Sequence, residues 1–277
     1  MISDEQVTKP STSEPEQVKQ PTVNWLDLPS DVMKNILSRL GMFDILENAQ
    51  KVCTTWHQIC KEPAMWRAVK MKYSHLWGQQ RFQRICKHVV DRSQGQMVDV
   101  SISAFCDQDI LQYIAARSSQ LRRLEITYSY GILTEVWGGC LKKLSLLEEL
   151  SVCGTQFSEK DIEAVGRFCP LLKTLKVKNT PFIYNLSDDA DYGWNTWALA
   201  IGKNLPGLRY LQLTGFTMTG VGLRAILDGC RHLESLKLGR CNYIDLNGDL
   251  VNRCSQQIKH LKLPRGYKDS FGNCDSD

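Results

Sequence analysis

The stretch Leu172-Lys-Thr-Leu175-Lys-Val177 decides the fold, because its spacing of apolar residues returns along most of the chain. The pattern apolar-x-x-apolar-x-apolar occurs seven times, beginning at Met97, Leu121, Leu147, Leu172, Leu208, Leu233 and Ile258. Successive copies are offset by 24, 26, 25, 36, 25 and 25 residues, and the longest offset equals one period plus an 11-residue insertion. One match to so short a pattern arises easily by chance, whereas seven in register do not. The sequence therefore predicts one structural unit repeated about seven times.

Each copy of this unit predicts a short strand followed by a helix. Alternate apolar residues of the strand point inward, and the segments 109–116, 158–168 and 219–227 between strands have the pattern of capped amphipathic helices. A period of about 20–29 residues with this spacing is typical of leucine-rich repeats, whose neighbouring copies bury a shared core. We predict an α/β fold, a short right-handed solenoid over 95–265 with a parallel sheet on the concave face and helices on the convex face. An insertion is expected near 181–197.

The chain before the repeats divides into three segments. Residues 1–23 are polar, contain three prolines and predict a disordered tail. Residues 24–72 predict a small unit of three helices: one in which Val32, Ile36, Leu37 and Leu40 recur at helical spacing, one from Asp44, and one from about Thr54 to Pro63. Residues 73–94 predict a linker helix, and residues 266–277 at the other end of the chain predict a flexible tail.

Composition excludes several classes of function. The net charge of +4 is small for a protein that binds nucleic acid, and the longest apolar run is shorter than the about 18 residues of a membrane span. The N-terminal residues lack the pattern of a secretory signal, so we expect a cytoplasmic or nuclear protein. None of the eleven cysteines forms a C-x-x-C pair, which disfavours a zinc ribbon or a redox pair. We expect no metal and no cofactor.

Two parts of the chain resemble known modules. Residues 25–69 resemble an F-box, through Leu28-Pro29, Ile36-Leu37, Leu40, Asp44-Ile45, Val52-Cys53 and Trp56. Residues 97–263 resemble cysteine-containing leucine-rich repeats, through Cys169-Pro-Leu-Leu172 and Cys230-Arg-His-Leu233. The whole chain is similar to plant F-box/LRR proteins.

The resemblance implies a function in protein degradation. Such a chain is the substrate-recognition subunit of an SCF-type ubiquitin ligase, docks on an SKP-family adaptor and through it joins cullin and RING subunits. It performs no bond chemistry itself and holds an unknown protein target for ubiquitination. The implied adaptor-binding residues are Leu28, Pro29, Ile36, Leu37, Leu40, Leu46, Val52, Cys53 and Trp56. Some of these must form the core of the helical unit, and Leu28 and Pro29 are the better candidates for the interface.

Alternation along the strands predicts which side chains line the concave face. That row is Ser101, Glu125, Ser151, Lys176, Gln212, Lys237 and Lys262, with Lys178 beside it on one flank and Tyr210 and His260 on the other. We hypothesise that the basic C-terminal part, Lys176, Lys178, Tyr210, Gln212, Lys237, His260 and Lys262, receives an acidic or phosphorylated segment of the target. The alternative is an ordinary solvated strand face. The aspartates and aromatic residues of the insertion are a second candidate contact surface, against the alternative of a disordered loop.

The cysteines are best explained as part of the repeat. Cys169, Cys230 and Cys254 recur shortly before a strand, and Cys241 takes a loop position that holds Ser129 and Thr155 in other copies. We therefore predict structural thiols rather than a thiol enzyme. Two further functions stay open: a leucine-rich-repeat scaffold with a vestigial F-box, and a small-molecule-dependent receptor of the same architecture.

Overall fold

The computed structural model describes residues 27–73, 78–104, 106–129, 131–179, 195–241, 243–244 and 248–263. The predicted tails, 1–23 and 266–277, and the insertion up to residue 194 lie outside the described residues. The described chain consists of a small group of helices followed by parallel strands that alternate with helices. The predicted α/β class is confirmed.

The first part of the chain is the predicted helical unit. Its helices are α1 (Ser30–Leu37), α2 (Met42–Glu47) and α3 (Thr54–Lys61), with short 3₁₀ turns at Ala49–Lys51 and Pro63–Trp66. The second helix begins at Met42 rather than at the predicted Asp44, because extended backbone at Gly41 directly precedes it. Met33 and Leu37 of α1 are buried together with Met42, Ile45, Ile59 and Cys60.

The strands form one parallel sheet in sequential order. They are β1 (Ala68–Lys72), β2 (Asp99–Ser103), β3 (Arg123–Thr127), β4 (Glu149–Cys153), β5 (Thr174–Lys178), β6 (Tyr210–Thr214), β7 (Ser235–Gly239) and β8 (His260–Lys262). All seven strands predicted from the repeat are present as β2 to β8. The predicted count of about seven is one strand short, because β1 lies within the range 24–72 predicted for the helical unit. Trp66, just before β1, and Val69 and Met71 within it carry the same spacing as the other copies, and Trp66 lies 31 residues before Met97.

One helix follows each of the strands β1 to β7. These are α4 (Gln79–Arg92), α5 (Gln108–Arg117), α6 (Thr134–Leu141), α7 (Glu159–Phe168), α8 (Thr196–Asn204), α9 (Gly220–Gly229) and α10 (Gly248–Gln257). Several begin at a residue whose side chain accepts a backbone hydrogen bond, as Asp107 does from Ile110 N at 2.9 Å and Thr219 from Val221 N at 3.3 Å. These N-caps explain why the predicted helices start within a residue or two of their observed positions.

The register gives the sheet two distinct faces. The row Val100, Leu124, Leu150, Leu175, Leu211 and Leu236 is fully buried on the helix side. The row Lys70, Ser101, Glu125, Ser151, Lys176, Gln212, Lys237 and Lys262 faces the other way. We call that side, together with the strand residues flanking this row, the open face; it corresponds to the predicted concave face.

A single hydrophobic core runs from Met33 to Ile258, so the helical unit and the repeats are packed as one body. At the junction, the indole of Trp66 is 1% exposed and its Nε1 donates to the carbonyl oxygen of Cys60 at 2.9 Å. The guanidinium of Arg92 donates to the same carbonyl at 3.2 Å and to Gln50 Oε1 at 3.1 Å, and lies 5.5 Å from the Trp66 ring centroid. These contacts attach α4 and the first repeat to the helical unit.

Candidate functional site

The helical unit leaves large apolar side chains in solvent. Val32 is 40% exposed, Leu40 41% and Val52 62%. Helix α1 has a wide apolar arc, because at about 100° per residue Val32 and Ile36 lie beside the buried Met33 and Leu37. Of these four side chains, only Met33 and Leu37 are buried in the core. The remainder, with Pro29 before the helix and Leu40 and Val52 after it, is apolar surface that the described residues leave exposed.

The nine predicted adaptor-binding residues fall into three groups. Pro29, Leu40 and Val52 are exposed, and Leu28, Ile36, Leu46, Cys53 and Trp56 are half-buried. Leu37 is 1% exposed and packs inward one turn after Met33, so in this structure it belongs to the core of the helical unit. Val32 is an exposed apolar residue that the site prediction missed, although it lies on the same helix face as Ile36. We call the exposed and half-buried members, together with Val32, the docking surface.

Cys53 has a local structural role within the docking surface. It is the N-cap of α3, and its Sγ accepts the Trp56 backbone N–H at 3.5 Å. The preceding turn is held by His57, whose Nδ1 lies 3.0 Å from the Gln50 carbonyl oxygen. These contacts fix the start of α3 and with it the position of Trp56.

The N-terminal part of the open face is occupied by an ion-pair network centred on Arg123. Its guanidinium lies 3.1 Å from Asp99, 3.0 Å from Glu125 and 3.5 Å from Glu149. Glu149 is shared with Lys176, whose Nζ is 2.7 Å from the Glu149 carboxylate. Lys176, predicted to receive an acidic target, is therefore already paired within the chain.

The C-terminal part of the open face brings the other predicted target-binding residues together. Lys237 lies opposite Lys262 and Gln212, and Tyr210 lies opposite Ser235, which in turn lies opposite His260. The Tyr210 ring is 5.5 Å from Lys176 Nζ and 6.0 Å from Lys237 Nζ, and its hydroxyl donates to Gln212 Oε1 at 3.1 Å. Lys178 lies on β5 in the row that flanks Lys176. The register thus places these residues on the open face, as the sequence predicted, and their role in binding a target remains a prediction.

Trp197, at the end of the predicted insertion, is half-buried and packs against the core. Its ring centroid lies 6.0 Å from Phe157 and 4.8 Å from Phe216, and Phe157 in turn lies 4.9 Å from Trp137. The other candidate contact residues of the insertion, Phe182, Tyr184, Asp188, Asp189, Asp191, Tyr192 and Trp194, lie outside the described residues.

The cysteines of the repeats are buried hydrogen-bond donors. Cys169 Sγ lies 3.5 Å from the Leu144 carbonyl oxygen and Cys230 Sγ lies 3.4 Å from that of Leu205, each in the preceding copy. Burial raises the pKa of both thiols to about 12. Cys241 bridges the carbonyls of Leu213 and Gly239, as the predicted loop role requires, and burial raises its pKa to about 11. Thiols held neutral in this way are structural and poor nucleophiles.

Two hollows lie among the described residues. A cavity of about 10 Å³ beside Thr155, Phe157 and Trp197 has room for about one water. A shallow surface depression of about 410 Å³ lies between α9 and α10, at Asp228, Arg231 and Arg253.

Among the described residues no group of three or more His, Cys, Asp or Glu side chains has the geometry to hold a metal ion. No helix in the described part of the chain is both long and apolar enough to span a bilayer.

Comparison with known proteins agrees with this architecture. The F-box domain family matches residues 25–68. F-box protein SKIP19 of Arabidopsis thaliana is 42% identical over 249 residues, which cover 88% of this chain and 78% of that protein. F-box/LRR-repeat protein 22 of the same plant is 40% identical over 252 residues, which cover 90% of this chain and 79% of that protein. F-box/LRR-repeat protein 23 is 41% identical over 248 residues, 89% of this chain, but the match spans only 54% of its length.

Among solved structures, the yeast Rad7 and Elc1 complex contains a chain that matches with a TM-score of 0.47 at 13% identity, covering 84% of this chain and 70% of that one. A likeness at this level carries no argument about binding. The relatives at about 40% identity do establish kinship, because the matches run through both the helical unit and the repeats. The chain belongs to the F-box/LRR-repeat proteins.

Proposed function

We propose that this chain is the substrate-recognition subunit of an SCF-type ubiquitin ligase. The docking surface binds an SKP-family adaptor, which connects the chain to cullin and RING subunits. The leucine-rich repeats bind a target protein, which is then ubiquitinated and degraded by the proteasome. The chain contributes proximity rather than bond chemistry, since holding a target beside an activated ubiquitin raises its effective concentration there.

The observation that carries the proposal is the apolar docking surface within the F-box match. Val32, Leu40 and Val52 are each at least 40% exposed, in a unit that spans only 25–68. Burying apolar surface against a partner contributes about 25 cal/mol for each Å² removed from water, so these side chains favour association. The polar open face of the sheet offers no comparable apolar surface.

The packed junction supports the second half of the proposal. Trp66 and Arg92 attach the helical unit to the first repeat, and the hydrophobic core is continuous across this point. A target on the repeats is therefore held at a fixed position relative to a partner on the docking surface. Such a fixed geometry is what catalysis by proximity requires.

Co-purification with an SKP-family adaptor tests the proposal. The double variant Leu40→Asp with Val52→Asp places two charges on the docking surface, and we expect adaptor capture to fall by at least about tenfold, because a buried unpaired charge is costly. The matched control is Leu199→Asp with Val221→Asp, which changes two side chains of similar exposure, 49% and 58%, on α8 and α9. The control should capture the adaptor like the unmodified chain.

Two outcomes would contradict the proposal. If the unmodified chain captures no adaptor, the F-box is vestigial and the chain is an interaction scaffold. If both double variants lose the adaptor equally, the docking surface is not the specific contact. Circular dichroism of each variant shows whether it is folded, so that a loss of binding is not confused with unfolding.

A further inference from the structure

The two ends of the open face differ in how their charges are satisfied. On β2 to β5 the charged side chains Asp99, Arg123, Glu125, Glu149 and Lys176 form one connected network of ion pairs. On the C-terminal side, Lys178, Lys237 and Lys262 make no ion pair with any described residue. Unpaired positive charge among the described strands therefore lies at the two edges of the open face, on Lys178, Lys237 and Lys262 at the C-terminal end and on Lys70 and Lys72 of β1 at the other.

The register fixes the layout of the three unpaired lysines at the C-terminal end. Lys237 and Lys262 lie directly opposite each other on β7 and β8, and Lys178 lies on β5. Neighbouring strands are about 4.8 Å apart, so the three strand steps from β5 to β8 spread these charges over about 14 Å. Tyr210 on β6 lies between them, with its ring 6.0 Å from Lys237 Nζ.

We propose that an acid-rich segment of the target, a short run of Asp and Glu residues, binds across β5 to β8 on Lys178, Lys237 and Lys262. This inference rests on the proposed function, in which the repeats bind the target. An extended segment of about four residues covers about 14 Å, and because its side chains alternate in direction, every second carboxylate faces the lysines. The network on β2 to β5 has three carboxylates against two cations, so its net negative charge disfavours an acidic segment on that part of the open face.

The chemistry of the site favours a run of carboxylates over a single phosphate. Phosphate is recognised best by the planar guanidinium of Arg, which donates two parallel hydrogen bonds, whereas Lys acts as a point charge. Point charges spread over about 14 Å fit a ligand whose negative charge is spread in the same way. Nucleic acid also has spread charge, but the net charge of +4 on the whole chain is weak for that class of partner.

A peptide-binding measurement with the full chain tests the inference. The probe is a fluorescent synthetic peptide with a run of about four Asp and Glu residues, followed by anisotropy at low and at moderate salt. We expect Lys237→Glu with Lys262→Glu to weaken binding by about tenfold or more, because two attractions become repulsions. The matched control is Lys70→Glu with Lys72→Glu, which makes the same charge change on β1 at the opposite edge of the sheet. The control should bind the peptide nearly as well as the unmodified chain.

Lys176→Gln provides a second arm. Because Lys176 is paired with Glu149, its removal should weaken peptide binding much less than the Lys237 and Lys262 pair does. Equal loss in both double variants, or no loss in either, would overturn the site. Two further probes test the carboxylate assignment: a singly phosphorylated peptide without the acidic run, and a single-stranded RNA of equal charge. Tighter binding of either than of the acidic peptide would overturn that assignment.

The measurement is made without the adaptor, so its failure is separate from a failure of the proposed function. Adaptor capture by the Lys237→Glu and Lys262→Glu variant should equal that of the unmodified chain, because these residues are on the repeats and not on the docking surface. Peptide binding without adaptor capture would contradict the ligase assignment alone. Adaptor capture without peptide binding would contradict the acid-rich target alone.

Discussion

The helical unit and the repeats use apolar residues in opposite ways. In the repeats, the strand residues Leu124, Leu150, Leu175, Leu211 and Leu236 are all fully buried. In the helical unit, Val32, Leu40 and Val52 stay in solvent. A repeat buries its apolar face against the next copy, whereas three short helices enclose too little interior for all of theirs. The difference separates residues that hold the fold from exposed residues that the proposed adaptor contact would bury.

The two ends of the sheet extend this comparison. At the N-terminal end the helical unit covers the first strand, and Val69 and Met71 of β1 are 5% and 1% exposed. At the C-terminal end, Leu261 of the last strand is only half-buried. Solenoids need a cap at each terminal repeat, and the F-box unit supplies the N-terminal one. One small unit thus has an inner surface that stabilises the fold and an outer apolar surface that is the proposed contact with the adaptor.

Truncating a core leucine of the repeats should have the largest effect on stability. We expect Leu175→Ala on β5 to lower the free energy of unfolding by about 2–5 kcal/mol, because it opens a cavity between helix and sheet. Urea denaturation followed by circular dichroism measures the change. Leu199→Ala, whose side chain is 49% exposed on α8, is the control and should stay within about 0.5 kcal/mol. Similar losses for the two variants would contradict the division between core and surface.

The junction should come next. Arg92→Ala removes the hydrogen bonds to Gln50 and to the Cys60 carbonyl, and with them the charge over the Trp66 ring. We expect a loss of about 2–3 kcal/mol in the free energy of unfolding, since the removed bonds come from a charged donor. The control is Arg84→Ala, an exposed arginine on the same helix. If the two variants have the same stability, the contacts of Arg92 do not hold the two parts together.

The sequence predicts the seven strands β2 to β8 correctly, but not the strand β1 that precedes them. The strands β2 to β8 follow from one spacing of apolar residues, because each copy must match its neighbours. The first strand has the same spacing at Trp66, Val69 and Met71, but it overlaps the end of the F-box pattern and so was assigned to the helices. A strand that serves two modules cannot be placed by either pattern alone.

The sequence predicts which side of the sheet each candidate residue faces, but not which ion pairs that residue forms. Alternation along strands placed Lys176, Lys237 and Lys262 on the open face correctly. The pairing of Lys176 with Glu149, however, runs diagonally between strands, since Glu149 lies opposite Thr174. The burial of Leu37 likewise depends on packing: α1 is apolar on two adjacent stripes, and only the structure shows that Leu37 belongs to the buried one.

A buried carboxylate in the repeats should make stability depend on pH. Asp161 accepts hydrogen bonds from Ser158 N at 2.8 Å and Ser158 Oγ at 2.9 Å, yet burial dominates and raises its pKa to about 6 from an ordinary value of 3.8. The folded chain therefore holds this proton more tightly than the unfolded chain. The stability this group contributes is complete below about pH 3.8 and is lost as the pH rises through about 6.

Comparison with Asp161→Asn isolates this effect from the other titrating groups. The free energy of unfolding of the unmodified chain, minus that of the variant, should fall between about pH 4 and pH 6 by on the order of 2 kcal/mol at most. Thermal or urea denaturation across that range gives the difference. Glu163→Gln, which removes an exposed charge from the same helix, controls for a general charge effect. A difference that rises with pH would show that the hydrogen bonds from Ser158 outweigh burial.

The smallest effect on stability is expected at Val52, the most exposed large hydrophobic residue of the docking surface. Val52 is 62% exposed at the end of a 3₁₀ turn, so Val52→Ala should change the free energy of unfolding by less than about 0.5 kcal/mol. The same variant should weaken adaptor capture measurably, because the removed methyl groups are buried only in the complex. Urea denaturation and adaptor titration on one preparation compare the two effects. A large loss of stability would place Val52 among the residues that hold the fold, and the distinction between the inner and outer surfaces of the helical unit would then fail at its most exposed residue.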